Sequence, residues 1–173
     1  ITVGDASCDP IIRKALAIGA TDAVRIDAIP TDSVHVAKLI SDYVKDKSYD
    51  IIFAGKETID HNSSAVPAMI AECMGLPYVA FATSIEVEGS SATLNCETTG
   101  GINNVTVNGA FVLSATKGMA EQRIPNMRGI MQARQKPLEV IPPSTSSSKT
   151  KSIKFYKPAP REEVKLVSPD NLD

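Results

Sequence analysis

Short apolar runs alternate with amphipathic stretches through the first half of the chain, and this alternation limits the folds open to it. Apolar residues recur at helical spacing over residues 11–18 and from a cap at Asp32 or Ser33 to the charged end at residues 45–47. Strands are predicted at residues 1–3, 23–26 and 51–54. Strands that alternate with helices are typical of a parallel sheet with crossover helices, so we predict an α/β fold.

The second half of the chain changes to a period of two. Apolar residues alternate on both sides of Gly89-Ser90 and of Asn108-Gly109. Asn-Gly is a strong signal for a two-residue hairpin turn. We therefore predict hairpins at both turns, with antiparallel strands appended to a mostly parallel core as a mixed sheet.

The composition argues against several classes of protein. A content of 43% hydrophobic and 22% charged residues is that of an ordinary globular domain. The formal net charge of −2 gives no general attraction to nucleic acid, and no run approaches the ~18 apolar residues of a membrane span. The widely spaced Cys8, Cys73 and Cys96 suit neither a disulfide framework nor a zinc site, so we interpret them as reduced thiols.

A polar loop of small residues follows the third predicted strand, from Gly55 to Pro67, and leads into a helix predicted over residues 68–74. Open α/β sheets bind ligands at the carboxyl ends of parallel strands, and a helix start offers free N–H groups to a phosphate. Asp, Asn and Ser are also common N-cap residues. The residues alone leave both a ligand site and an ordinary capped loop open.

No motif predicts chemistry by the chain itself. The sequence has no nucleophile elbow, Walker loop, dinucleotide G-x-G-x-x-G or metal-spaced His/Cys cluster. His35 lies on a predicted helix, and we interpret it as a surface or boundary residue. We predict no catalytic residues, no metal ligands and a protein that is not an enzyme.

Apolar content falls after Thr116, where prolines and the serines at 144–148 accumulate, and returns at Ile153, Phe155 and Tyr156. Such a segment is either a linker or an arm laid on a partner. We therefore divide the chain into an α/β domain over residues 1–141 and a linker with a C-terminal arm over residues 142–173.

Several segments together resemble the β subunit of electron transfer flavoprotein, in the same order along the chain. They are ALAIGATD (15–22), AGKETID (54–60), AECMGLP (71–77), SATKGMAEQR (114–123) and GIMQAR (129–134). The resemblance implies a three-layer, Rossmann-like domain of the adenine nucleotide alpha hydrolase-like type, with a strand-helix-strand unit before Ile1. It also implies an extended C-terminal arm that docks on an α subunit.

The resemblance further implies a heterodimeric electron carrier. The α subunit holds FAD, and electrons pass from flavin dehydrogenases such as acyl-CoA dehydrogenase to a quinone reductase or another acceptor. The β subunit binds AMP or, in electron-bifurcating members that oxidise NADH, a second FAD. Such a protein is cytoplasmic in bacteria and lies in the mitochondrial matrix in eukaryotes. A stand-alone adenine-nucleotide module related to universal stress proteins stays open as an alternative.

Carried over by position, the resemblance assigns the nucleotide site to Val3, Gly55 and a continuous loop. The loop residues are Thr58, Ile59, Asp60, His61, Asn62, Ser63, Ser64, Ala65, Val66, Pro67 and Met69. The family has glutamine where Ala65 lies, and Pro67 lacks a backbone N–H. These departures leave the choice between AMP and FAD open.

The resemblance also implies a loop that contacts partner dehydrogenases. Met127 takes the position of the leucine that the family inserts into a partner's pocket, with Ile124 and Ile130 on either side. A methionine is a flexible apolar anchor. The alternative is that Met127 packs against its own domain.

Overall fold

Residues 1–59 and 61–161 are described by a computed structural model. Eight strands, four α-helices and one 3₁₀ turn form this part of the chain. In chain order they are β1 (Thr2–Val3), the 3₁₀ turn (Ala6–Cys8), α1 (Asp9–Ala17), β2 (Ala23–Ile26), α2 (Ser33–Val44), β3 (Ile51–Gly55), α3 (Val66–Met74), β4 (Tyr78–Glu88), β5 (Ser91–Thr98), β6 (Gly101–Asn108), β7 (Phe111–Ala115), α4 (Met127–Ala133) and β8 (Leu138–Ile141).

These strands form two sheets. The first has the order β1-β2-β8 and is parallel throughout. The second has the order β3-β7-β4-β5-β6; β3, β7 and β4 are parallel, whereas β4, β5 and β6 pair antiparallel. The predicted α/β class, with a parallel core and added antiparallel strands, is confirmed.

The predicted hairpin at Asn108-Gly109 is wrong. A turn does form there, and the Gly109 N–H donates to the Ser90 carbonyl at 2.8 Å. The chain then leaves β6 and enters β7, which lies between β3 and β4 and is parallel to both. Burial explains the outcome: Phe111, Val112, Leu113 and Ser114 are all buried, whereas β6 is largely exposed. A strand that is apolar on both faces is stable in the interior of a sheet.

The α1 helix begins two residues before the helical spacing predicted from residue 11, and it has no side-chain cap. Cys8 is the N-cap residue, and Asp9 is the first helical residue, with a carboxyl oxygen 2.7 Å from Arg25 Nε. Arg25 is only 5% exposed, and its Nη1 donates to the Gly4 carbonyl at 2.9 Å and to Asp27 at 2.6 Å. The Asp27 hydrogen bond raises the pKa of Arg25, so this guanidinium stays charged and joins β1, α1 and β2.

Two elements lie in the segment where the apolar content falls. Asn126 caps α4 by accepting the Gly129 N–H at 2.8 Å, and Ala133 packs against Ile12 and Leu16 of α1. The next element, β8, extends the first sheet. Between them, Lys136 Nζ donates to the Leu16 carbonyl at 2.9 Å, which satisfies an unpaired carbonyl at the end of α1. Short apolar stretches between prolines gave no periodicity from which to predict these elements.

Gly129 of α4 lies against the Ala17 carbonyl at the end of α1. A Cβ atom built there would lie 2.4 Å from the Ala17 carbonyl oxygen. We expect Gly129→Ala to displace α4 and to lower the free energy of unfolding by about 1–3 kcal/mol, a typical cost of overpacking. Urea denaturation and amide exchange across α4 measure the effect. Gly101→Ala is the matched control, because a Cβ there meets nothing within 4 Å; equal stability of the two variants would contradict this account.

Candidate functional site

The polar loop, residues 56–65, leaves the carboxyl end of β3. The Lys56 N–H donates to the Ala115 carbonyl at 3.1 Å, which ties the start of the loop to the neighbouring β7. Within the loop, the Asn62 N–H donates to the Thr58 carbonyl at 2.9 Å, and the Ser64 hydroxyl donates to Glu57 at 3.2 Å. The loop therefore has its own internal structure at the sheet edge where α/β proteins bind ligands.

Two non-glycine residues of this loop have left-handed backbone conformations. Asn62 has φ 48° and Ser64 has φ 49°. Asparagine tolerates this region, whereas serine adopts it at a cost of order 1 kcal/mol. Such strain is concentrated in ligand-binding segments, where it directs backbone N–H groups.

The α3 helix follows the loop and begins at Val66, two residues before the predicted start. Its N-cap residue, Ala65, has no side chain that can accept a hydrogen bond from the first turn. Pro67 at the second helical position has no N–H. The Val66 and Ala68 N–H groups lie in the first turn and have no acceptor within the helix. The positive end of the helix dipole is therefore directed toward the polar loop without a side-chain cap.

The structure brings most of the predicted nucleotide-site residues together on this loop. Asp60 lies outside the described residues, and Val3 lies apart, at the end of β1 in the other sheet. Gly55 ends β3, and Ile59 is 98% exposed. The other predicted positions, in the loop and at the start of α3, differ in burial: Thr58, His61, Asn62 and Ser63 are exposed, Ser64, Ala65, Val66 and Met69 are half-buried, and Pro67 is buried.

Asp32 connects this loop region to the segment that follows β8. One of its carboxylate oxygens caps α2 as predicted, accepting the His35 N–H at 2.7 Å. The other accepts the Lys149 and Thr150 N–H groups at 2.6 and 2.7 Å. These donors, His35 first, lower the pKa of Asp32 to about 2. Beside it, the Ser33 and Ser63 hydroxyls are 3.3 Å apart, so α2 also contacts the polar loop.

A residue of β4 with a strained backbone lies near the same loop, and no sequence pattern predicts it. Phe81 has φ 55° where the register of β4 shifts against β7. Its N–H donates to the hydroxyl of Ser114 at 2.9 Å, and Ser114 is fully buried in β7. Lys56 Nζ lies 5.1 Å from the centre of the Phe81 ring. A cation–π contact of this kind holds a positive charge at the start of the polar loop.

Within residues 1–59 and 61–161, no three His, Cys, Asp or Glu side chains are grouped so that they could hold a metal ion. Over the same residues, no helix has the length and apolar character needed to cross a membrane. What the loop offers is hydroxyl groups, amide donors and a helix N-terminus, which suit an anion.

A second exposed surface surrounds α4. Met127 begins the helix and is 74% exposed, so the alternative that it packs against its own domain is wrong. Ile124, Ile130 and the neighbouring Met131 are exposed as well. Large apolar side chains exposed close together are typical of a protein interaction surface.

The topology and the sheet-edge loop define an α/β domain with one parallel and one mixed sheet and a polar loop at the end of a parallel strand. Residues 1–146 match the family model described as "Electron transfer flavoprotein domain". The chain belongs to the electron transfer flavoprotein family, and the resemblance found in the sequence is confirmed.

Three curated relatives carry the name "Electron transfer flavoprotein subunit beta". Those of Syntrophomonas wolfei and Bacillus subtilis are 33% and 29% identical and match 91% and 96% of this chain. The human protein is 27% identical over 83% of it. The matched parts are 63%, 69% and 58% of the relatives' own lengths, respectively, so this chain spans only part of each of them.

The uncapped start of α3 allows a sharp test of anion binding. We expect Ala65→Asp to place a carboxylate against a bound phosphate and to weaken binding of AMP roughly tenfold or more, because two like charges would share one site. Titration calorimetry of the whole protein with AMP measures the effect. Ala65→Ser is the control, since it adds a hydroxyl without charge; equal affinity of the Asp and Ser variants would contradict a phosphate at this helix.

Proposed function

We propose that this chain is part of the β subunit of a heterodimeric electron transfer flavoprotein. It carries electrons from flavin dehydrogenases, such as acyl-CoA dehydrogenase, to a quinone reductase or another acceptor, and it is not itself an enzyme. The observation that carries the proposal is the family match over residues 1–146 together with β-subunit relatives from bacteria and human. The FAD that accepts and passes on the electrons is held mainly by the α subunit.

The β chain contributes a structural nucleotide site at the polar loop, in a Rossmann-like domain of the adenine nucleotide alpha hydrolase-like type. The uncapped N-terminus of α3 and the hydroxyl of Ser63 support a phosphate there. AMP is the proposed occupant, with its adenosine toward Val3. The role proposed for this site is structural rather than catalytic.

A second FAD at this loop is the competing proposal, and it makes the protein an electron-bifurcating one that oxidises NADH. One observation bears on it: the loop has alanine at position 65 and proline at position 67. Neither residue supplies a side-chain donor or acceptor. The polar loop therefore discriminates only weakly between AMP and FAD, since both contain an adenosine phosphate.

Assembly with the α subunit is proposed to use the chain beyond β8, residues 142–173. Its described part, residues 142–161, carries exposed apolar side chains at Ile153, Phe155 and Tyr156. Apolar side chains fully open to water are stabilised by burial on a partner. Residues 162–173 lie outside the described part of the chain. The resulting heterodimer is proposed to be cytoplasmic in a bacterium or to lie in the mitochondrial matrix of a eukaryote.

The cofactor content tests the proposal directly. The whole protein that contains this chain is co-expressed with its α subunit, the heterodimer is denatured in acid, and released FAD and AMP are quantified. We expect one FAD and one AMP per heterodimer. Two FAD and no AMP would establish the bifurcating alternative, whereas a colourless chain that forms no heterodimer would contradict both.

The α4 surface is the proposed contact with the donor dehydrogenase. We expect Met127→Ala to reduce the rate of electron transfer from the dehydrogenase roughly tenfold at low concentrations, as loss of a central apolar anchor does. Thermal stability should stay unchanged, because the side chain is exposed. Ile102→Ala is the control, since Ile102 is exposed on β6, away from α4. An equal rate for the wild type and Met127→Ala would exclude Met127 from the contact.

A further inference from the structure

The segment after β8 is fastened to the domain at two points, although its composition is that of a flexible linker. Ser144 donates its hydroxyl to Asp42 at 2.7 Å, near the carboxyl end of α2. Lys149 and Thr150 donate their N–H groups to Asp32, at the N-terminus of the same helix. We name residues 144–150 the strap. It runs along α2 in the direction opposite to the helix.

The two attachments leave the strap little slack. Asp32 and Asp42 are ten positions apart, a rise of about 15 Å at 1.5 Å per residue. Ser144 and Lys149 are five positions apart, which corresponds to about 17 Å in a fully extended chain. The strap is therefore only slightly longer than the stretch of helix that it spans. Its direction, and the point at which the chain leaves the domain, are set by these two carboxylates.

Hydrogen bonds rather than apolar burial hold the strap. Its residues are serine, threonine and lysine, and nearly all of them are exposed. At its start, a cavity of about 460 Å³ separates Pro143 and Ser144 from Tyr43 of α2. The carboxylate of Asp32 receives three donors from the strap, since the Thr150 hydroxyl adds a third at 3.2 Å. Asp32 is consequently the stronger of the two attachments.

The strap ends beside the polar loop. Asp32 precedes Ser33, whose hydroxyl lies 3.3 Å from that of Ser63. Ile153 follows Thr150 by three residues, a distance of at most about 11 Å for an extended chain, and it is 95% exposed. The apolar arm residues therefore leave the domain at the edge that carries the polar loop.

We propose that Asp32 is a positioning residue for subunit assembly: by fastening the strap it directs Ile153, Phe155 and Tyr156 outward beside the polar loop, so that the partner subunit covers this edge of the domain. The inference rests on the proposed function, because it takes the α subunit as the partner. That subunit must offer an apolar groove, since three large apolar side chains within four residues are exposed in the described part of this chain. An arm fixed at its base also loses less conformational freedom on binding than a free one.

Asp32→Asn tests the proposal in the whole protein. Asparagine retains one oxygen and is a good N-cap residue, so α2 stays capped, but its amide cannot accept the strap N–H groups. We expect amide exchange at Lys149 and Thr150 to become about tenfold faster, as for hydrogen-bonded groups that become exposed. The dissociation constant of the heterodimer should rise about threefold to tenfold, because a freed arm must be ordered on binding.

Matched controls separate the effect of the lost charge from the effects of the helix cap and of the strap hydrogen bonds. Asp22→Asn removes the same charge from an exposed turn before β2 and should change neither measurement. Thr150→Pro removes donors from the opposite side of the contact and should reproduce the weaker assembly of Asp32→Asn. Unchanged exchange at His35 verifies that α2 is still capped in Asp32→Asn.

The possible outcomes differ for the two proposals. If the Asp32→Asn variant assembles with the affinity of the wild type, the positioning role is overturned and the proposed function stays intact. Unchanged exchange at Lys149 and Thr150 overturns it as well. If the wild-type protein forms no heterodimer, or pairs with a second copy through the arm, the proposed function fails and the inference fails with it. Faster exchange together with weaker assembly in both Asp32→Asn and Thr150→Pro supports it.

Discussion

The burial of β7 is the constraint on which the rest of the second sheet depends. Phe111, Val112, Leu113 and Ser114 are buried on both faces, and parallel strands flank them on either side. This central strand holds β3 in place, and β3 in turn positions the polar loop. The buried hydroxyl of Ser114 also accepts the Phe81 N–H, which β4 cannot use in its own pairing where its register shifts. The same strand, β7, therefore stabilises the packing of the sheet and positions the candidate site.

Local patterns predicted local structure well. The spacing of apolar residues located α1, α2 and β3, and the small polar residues after β3 indicated a loop at a sheet edge, where the structure has one. Of the two residues predicted to cap α2, Asp32 or Ser33, Asp32 is the cap. In each case the signal and the structure lie within a few residues of each other, because periodicity and capping are determined by neighbours along the chain.

Long-range contacts were not predicted, because sequence patterns report only on residues that are close together in the chain. Asn108-Gly109 forms a turn, but whether the next strand returns along β6 or enters the sheet interior depends on which neighbour best buries Phe111 and Leu113. The second role of Asp32 depends on amides more than one hundred residues later in the chain. Of the predicted site, the described loop residues lie together because they follow one another in the chain, whereas Val3 lies in the other sheet.

The outer edge of β3 has a consequence for work with this chain on its own. The outer edge of β3 is unpaired within the described residues, and Phe53 on it is 56% exposed, although the run Ile51–Gly55 is nearly all apolar. An apolar strand with open N–H and C=O groups is a template for a further strand. At the concentrations used for spectroscopy, the isolated chain should therefore self-associate through β3, and its solubility will report on how well that edge is covered.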